Sequence, residues 1–240
     1  MSTEEDAKAA ATAGYDVGDR RLYWYSPKHG VDQRLQPFGT YLLNATLRPR
    51  FGFEVAGREH MRPGGGVLLV TNHLADVDMP FLAAAVVPRQ LMYLSATKNF
   101  TNPAVGYLIS ALGAFPVHTE RPDPSALRLA RAHLEAGRTV AIFPEGYPTF
   151  GPKLAPFARG VGMLGLTPGI RIVPGALWGT HRVMKRGMPI GKGKVRVAFG
   201  PPISVPEAGS RRARADAVTE ACETAVGEIL ERLVAMDPDE

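Results

Sequence analysis

Two short stretches carry side chains whose types and spacing could do chemistry. The first is Thr71-Asn72-His73-Leu74-Ala75-Asp76-Val77-Asp78-Met79-Pro80, in which an aspartate follows a histidine by five positions. Residues five apart on one α-helix are turned by about 140°, so His73 and Asp78 meet only if the histidine sits in a turn and the aspartate in the first turn of a helix. Pro80 fits that placement, because proline is tolerated where a helix begins. A carboxylate bonded to one imidazole nitrogen fixes the tautomer and makes the other nitrogen a stronger base, able to take a proton from a hydroxyl. No Gly-x-Ser-x-Gly elbow supplies a serine nucleophile, so the hydroxyl belongs to a substrate. Asp76 is a rival partner for His73. The plainer alternative is an Asp78 that only caps a helix beside a core histidine.

The second stretch is Phe143-Pro144-Glu145-Gly146, about 70 residues on. It places a carboxylate and then a permissive glycine in a turn, suited to accepting hydrogen bonds from a polyol or from groups that build a site.

Both stretches follow apolar runs that read as buried strands. Val67–Thr71 comes after the turn signal Pro63-Gly64-Gly65-Gly66, and similar runs recur at Leu91–Ala96, Thr139–Phe143, Ile170–Val173 and Val195–Phe199. Helical patterns lie between them. The clearest runs from Pro124 to Ala136, with Asp123 as N-cap, Pro124 at the first position and Gly137 at the end. Strands alternating with helices predict an α/β fold whose sheet is at least partly parallel. Ligands of such sheets bind beyond the carboxyl ends of the strands, where both stretches fall. A last helix, from Ser210 to about Met236, carries the stripe Val218, Cys222, Val226, Ile229, Leu230 and Leu233, which makes Cys222 a core residue.

In this order and spacing the motifs resemble those of the glycerolipid acyltransferase family, which includes the lysophosphatidate (1-acylglycerol-3-phosphate) acyltransferases. Asn72, His73 and Asp78 match the family's first block, and Phe143 to Gly146 match its third. The second block ends in an arginine, here Arg121, two places later than usual after Gly113. The fourth is a short apolar strand ending in proline, matched by Ile170 to Pro174, with Gly175 where a branched residue is commoner. Lys98 matches a lysine that the family carries after its second strand. Tyr147-Pro148-Thr149 departs from the family, which commonly has Thr or Ser and then Arg after Phe-Pro-Glu-Gly, so the acceptor need not be lysophosphatidate.

The resemblance spans roughly Phe51 to Pro202. It implies a mixed, largely parallel sheet flanked by helices. It also implies that His73, oriented by Asp78, deprotonates an acceptor hydroxyl, which attacks the thioester of acyl-CoA or acyl carrier protein, with backbone amides stabilising the oxyanion. Lys98, Arg121 and Arg159 would hold an acceptor phosphate, while Glu145 and Gly146 shape the acceptor pocket. No metal and no cofactor is implied beyond the acyl donor as co-substrate. The acceptor would be a lysophospholipid in phospholipid synthesis, met at the cytoplasmic face of the membrane. Two further readings are a hydrolase or transacylase using the same pair, and a lipid-binding protein without catalysis.

The whole chain agrees with an ordinary globular protein. Its 240 residues hold 45% hydrophobic and 21% charged side chains, 28 Lys+Arg against 23 Asp+Glu, and one cysteine, which excludes a disulfide framework or a zinc ribbon. The basic balance predicts an anionic partner. Residues 1–14 read as a disordered tail. Residues 15–50 read as an interfacial helical segment, where Tyr23, Trp24, Tyr25, Phe38 and Tyr41 mix with Arg20, Arg21, Lys28, Arg34, Arg48 and Arg50. Pro37 and Gly39 weaken its helical propensity, and a helix packed on the core beside solvated arginines is the other reading. Residues 51–205 form the acyltransferase-like core, and 206–240 a C-terminal helix packed on it. No apolar run reaches the roughly 20 residues that span a bilayer. Gly160-Val161-Gly162-Met163-Leu164-Gly165 spells a dinucleotide fingerprint without a strand before it, so its glycines read as a closely packed helix. Lys185, Arg186, Lys192 and Lys194 lack interleaved aromatics, which argues against nucleic acid.

Overall fold

Val67–Thr71 (β2) is apolar or β-branched throughout, and in the structure, a computed structural model, all five residues are buried in the middle of the sheet. The structure describes residues 35–62, 64–118, 123–183, 191 and 193–237. The proposed tail, residues 15–34 of the interfacial segment, Arg121, Lys185, Arg186 and Lys192 lie outside the described residues.

The other strands are β1 (Glu54–Ala56), β3 (Leu91–Ala96), β4 (Ala114–Val117), β5 (Thr139–Ile142), β6 (Arg171–Trp178) and β7 (Arg196–Phe199). Their order is β1-β7-β6-β2-β5-β3-β4, and every neighbouring pair is parallel except β6 with β7. This is the mixed, largely parallel sheet that the family resemblance implies.

Helices cover both faces. They are α1 (Leu35–Phe51), α2 (Asp78–Ala85), α3 (Pro103–Ala111), α4 (Pro124–Glu135), α5 (Gly160–Gly165), α6 (Thr180–Val183) and α7 (Arg211–Ala235). Alternate β2 residues divide the core, as the two-residue period of a strand requires. Val67 and Leu69 pack with Phe81 and Leu82 of α2, whereas Leu68 and Val70 pack with Leu129 and Leu134 of α4 and Val161 of α5. The α7 stripe serves both cores, with Val218, Cys222 and Val226 in the second and Ile229, Leu230 and Leu233 in the first. Burial pushes the Cys222 thiol up to about 12, so it is a packing residue and no nucleophile.

Local chemistry explains the helix ends. Asp123 accepts from the Ser125 and Ala126 amides at 3.1 and 3.0 Å, with Pro124 at the first helical position and Gly137 left-handed at φ 79° beyond the end. The glycines of α5 pack closely: a Cβ on Gly162 would run into the Ala215 carbonyl of α7. Pro37 and Gly39 do not interrupt α1, which is continuous and rests on α2, with Leu47 and Phe51 buried and Arg48 and Arg50 outside. Its Asn44 side chain donates to the Ala84 carbonyl at 2.9 Å.

Three strands differ from the sequence reading, and the first, β1, has no counterpart in it. β6 continues through Pro174 to Trp178, because Pro174 lies one pair beyond the end of the β7 ladder, where its carbonyl still takes the Gly200 amide at 2.8 Å. β4 contains Pro116 and lies at the sheet edge, where a missing N–H costs no ladder bond.

Candidate active site

The register of the parallel strands brings the two motifs together. Val70 of β2 pairs with Ile142 of β5, and Thr71 with Gly175 of β6, so the segments leaving β2 and β5 emerge side by side at the carboxyl end of the sheet. Asn72, the first residue past β2, is buried and prolongs the ladder with its side chain. Its amide donates to the Leu177 carbonyl at 3.1 Å, and its Oδ1 accepts the Leu177 amide at 2.8 Å.

The chain then turns, and α2 begins at Asp78. Asp78 is fully buried, and its Oδ2 lies 2.8 Å from His73 Nδ1 while accepting the Leu74 and Ala75 amides at 2.7 and 3.0 Å. One carboxylate oxygen thus builds the turn and orients the ring. Asp76 is exposed, so the structure selects Asp78 as the partner. The His73 side chain keeps 16% of its surface exposed. With Nδ1 engaged, Nε2 is the nitrogen left for a substrate. The ring stacks on Phe143, 4.2 Å between centroids and 8° from parallel. That limits rotation and offers a π-face that favours the imidazolium formed when the base takes a proton.

Glu145 enters from the other segment. The Gly146 amide donates to the Phe143 carbonyl at 3.1 Å, closing a turn with proline second and glycine fourth, and Gly146 is left-handed at φ 78°. This turns Glu145 inward. Its Oε1 accepts the His73 amide at 2.6 Å and its Oε2 the Ala155 amide at 2.8 Å. Burial raises the Glu145 carboxyl above the ordinary range, opposed by these two N–H groups and by His73.

His73, Asp78, Glu145 and Gly146 are therefore brought to one place. Lys98 is exposed on the short turn Thr97–Phe100 that leaves β3 at the same end of the sheet. Arg159 precedes α5, and its guanidinium lies 3.6 Å from Asp216 of α7 rather than in the histidine cluster. Sequence reasoning missed the role of Asn72 as a link to β6. It also missed Thr149, whose amide and hydroxyl both donate to the His73 carbonyl, at 2.9 and 3.1 Å. An asparagine next to a strand end was the one local signal for the first. The second depends on a contact across 76 residues.

A buried aspartate orients a partly exposed histidine at the carboxyl ends of a mostly parallel sheet, with the cysteine packed away in α7, an arrangement with the chemistry to take a proton from a hydroxyl. Comparison with known proteins gives the family. The chain belongs to the acyltransferase family, whose model, described as Acyltransferase, matches residues 52–178, more than half of the chain. It is an acyltransferase.

Among its relatives is the 1-acyl-sn-glycerol-3-phosphate acyltransferase of Bacillus subtilis, 28% identical over 80% of this chain and 94% of the relative. Another is the chloroplastic LPAT1 enzyme of that description from Arabidopsis thaliana, 27% identical over 66% of this chain and 45% of the relative, so the chain spans less than half of the plant protein. The fold is that of the 1-acyl-sn-glycerophosphate acyltransferase PlsC from Thermotoga maritima, with a TM-score of 0.64 at 21% identity over 95% of this chain and 94% of that one.

Proposed function

We propose that this acyltransferase esterifies the free hydroxyl of a 1-acylglycerol-3-phosphate or a related lysophospholipid with a fatty acyl group carried as a thioester. The observation that carries the reading is the 2.8 Å contact between His73 Nδ1 and Asp78, which leaves Nε2 as the base. The description of the Bacillus relative supports the acceptor.

His73 Nε2 takes the hydroxyl proton as the acceptor oxygen attacks the thioester carbonyl. The new C–O bond forms, the C–S bond breaks, and the proton passes from His73 to the leaving thiolate, giving ester and free thiol. The donor is acyl-CoA or acyl carrier protein. Lys98 and Arg121 are the cations proposed for the acceptor phosphate, with Arg159 left on Asp216.

The lipid acceptor places the reaction at a membrane surface, proposed to be the cytoplasmic face. No described helix is long and apolar enough to cross a membrane. Tyr41 and Leu42 on α1 and Val105, Tyr107 and Leu108 on α3 are exposed, and neither helix contains an acidic residue, which suits contact with anionic lipid. Thiol release from long-chain acyl-CoA and from acyl carrier protein, with a panel of lysophospholipid, glycerol-3-phosphate and glycolipid acceptors, tests the reading. Release that requires a lysophospholipid and His73 is the expected result. Acceptor-independent release would mean a hydrolase, and silence with every donor a binding protein.

A further inference from the structure

The main chain of His73 is held at both its polar groups by one loop. The amide is taken by Glu145 Oε1 at 2.6 Å, and the carbonyl receives the Thr149 amide at 2.9 Å and the Thr149 hydroxyl at 3.1 Å. The hydroxyl has one proton, and its other acceptor, the Gly151 carbonyl, is farther away at 3.4 Å. The loop is itself tied down. Ala155 donates to Glu145 Oε2 at 2.8 Å, and Ala158 donates to the Pro144 carbonyl at 2.9 Å. Directly after Thr149, Phe150 adopts the left-handed φ of 54°, a conformation that costs an aromatic residue free energy and persists only where surrounding contacts enforce it. Pro148 fixes the backbone on the other side.

We propose that Thr149 is a positioning residue for the base His73, closing on the carbonyl side a clamp whose amide side is Glu145. It rests on the reading of His73 as the base. Asp78 and Phe143 restrain the imidazole ring, but a ring is aimed only as well as the peptide that carries it. Asp78 fixes the chain after His73 through the Leu74 and Ala75 amides, and Asn72 fixes the chain before it. The His73 peptide groups themselves depend on the loop after β5. Thr149 touches no reacting atom. It acts by holding Nε2 where the acceptor hydroxyl must lie, and small displacements of such a group are costly in rate.

The test uses Thr149→Val, which keeps shape and main-chain N–H but removes the hydroxyl, beside Thr149→Ser, which restores it. Two measurements are made on the full chain. One is kcat and KM for both substrates, and the other is the exchange rate with water of the His73 Nδ1 proton in nitrogen-15 NMR, assigned by its loss in His73→Gln. The valine variant is expected to lose about tenfold in kcat with both KM values within about twofold. Its imidazole proton should exchange about fivefold faster as the His73–Asp78 bond loosens, and serine should restore both readouts. Wild-type kcat in the valine variant, equal losses for valine and serine, or a loss without any change in proton exchange would overturn the proposal. If wild-type protein turns over no acceptor, the proposed function fails, while the exchange rates still decide the clamp.

Discussion

The Glu145 carboxylate binds the main-chain amide of His73, with Oε1 at 2.6 Å, across 72 residues of sequence. Both of its oxygens are occupied by backbone donors, so it builds the site before any substrate arrives. Glu145→Gln leaves one acceptor oxygen for two N–H groups and turns an –NH2 toward the other. The expected outcome is a fall in kcat of about tenfold or more in the acyl-transfer assay.

The same residue sets a pH dependence of stability. Burial raises the folded carboxyl above its ordinary range, so the folded chain holds the proton more firmly than the unfolded one, and Glu145 costs stability as pH rises through that window. The glutamine variant cannot ionise there. Urea unfolding between about pH 4 and about pH 7 should therefore show the variant gaining stability relative to wild type as pH increases.

His73→Ala removes the base itself. Transfer should fall by about three orders of magnitude or more with the melting temperature almost unchanged, since the imidazole is partly exposed and no described backbone bond depends on it. Asp78→Asn should behave differently. Its Oδ2 also serves the Leu74 and Ala75 amides, so the variant should lose activity and melting temperature together. Thermal unfolding beside the transfer assay separates the two.

Much of this site was legible in the sequence for local reasons. The five buried residues of β2 form an unbroken apolar or β-branched run, the five-residue spacing let His73 and Asp78 meet only with the histidine in a turn, and Pro80 marked where α2 could begin. Asp123, Pro124 and Gly137 likewise announce α4 through backbone chemistry that acts within a few residues. What stayed hidden depends on partners far along the chain. Asn72 with Leu177 spans 105 residues, and Thr149 with His73 spans 76. β4 contains Pro116 and the middle of β6 Pro174, which argue against strands unless the edge position or the neighbouring Gly200 is known. The helix α1 tolerates Pro37 because it stands in the first turn, where no N–H is needed, and packing against α2 outweighs the cost of Gly39.

Close packing of α5 on α7 yields a stability prediction away from the site. A Cβ at Gly162 would overlap the Ala215 carbonyl and crowd the Thr219 hydroxyl, which donates to that carbonyl at 2.9 Å. Backbone cannot yield as a side chain can, so Gly162→Ala should destabilise by roughly 2 kcal/mol or more despite its better helix propensity. Denaturant unfolding checks this, with activity per folded molecule expected to stay near wild type.

His133 supplies a second titration, opposite in sign to Glu145. It is buried in α4 against Phe115, and its Nδ1 accepts from the Arg138 guanidinium at 2.8 Å. Burial first and the Arg138 charge second lower it from 6.5 to about 3. Between those values the unfolded chain binds a proton that the folded chain refuses, so stability falls as pH drops below about 6.5, at a rate approaching roughly 1.4 kcal/mol per pH unit. His133→Gln keeps a polar acceptor for Arg138 but cannot take up a proton. Unfolding free energies measured from about pH 7 down to about pH 4.5 should decline more steeply in wild type than in the variant. Parallel curves would mean that His133 gains its proton in the folded state, with Arg138 moving away to admit it.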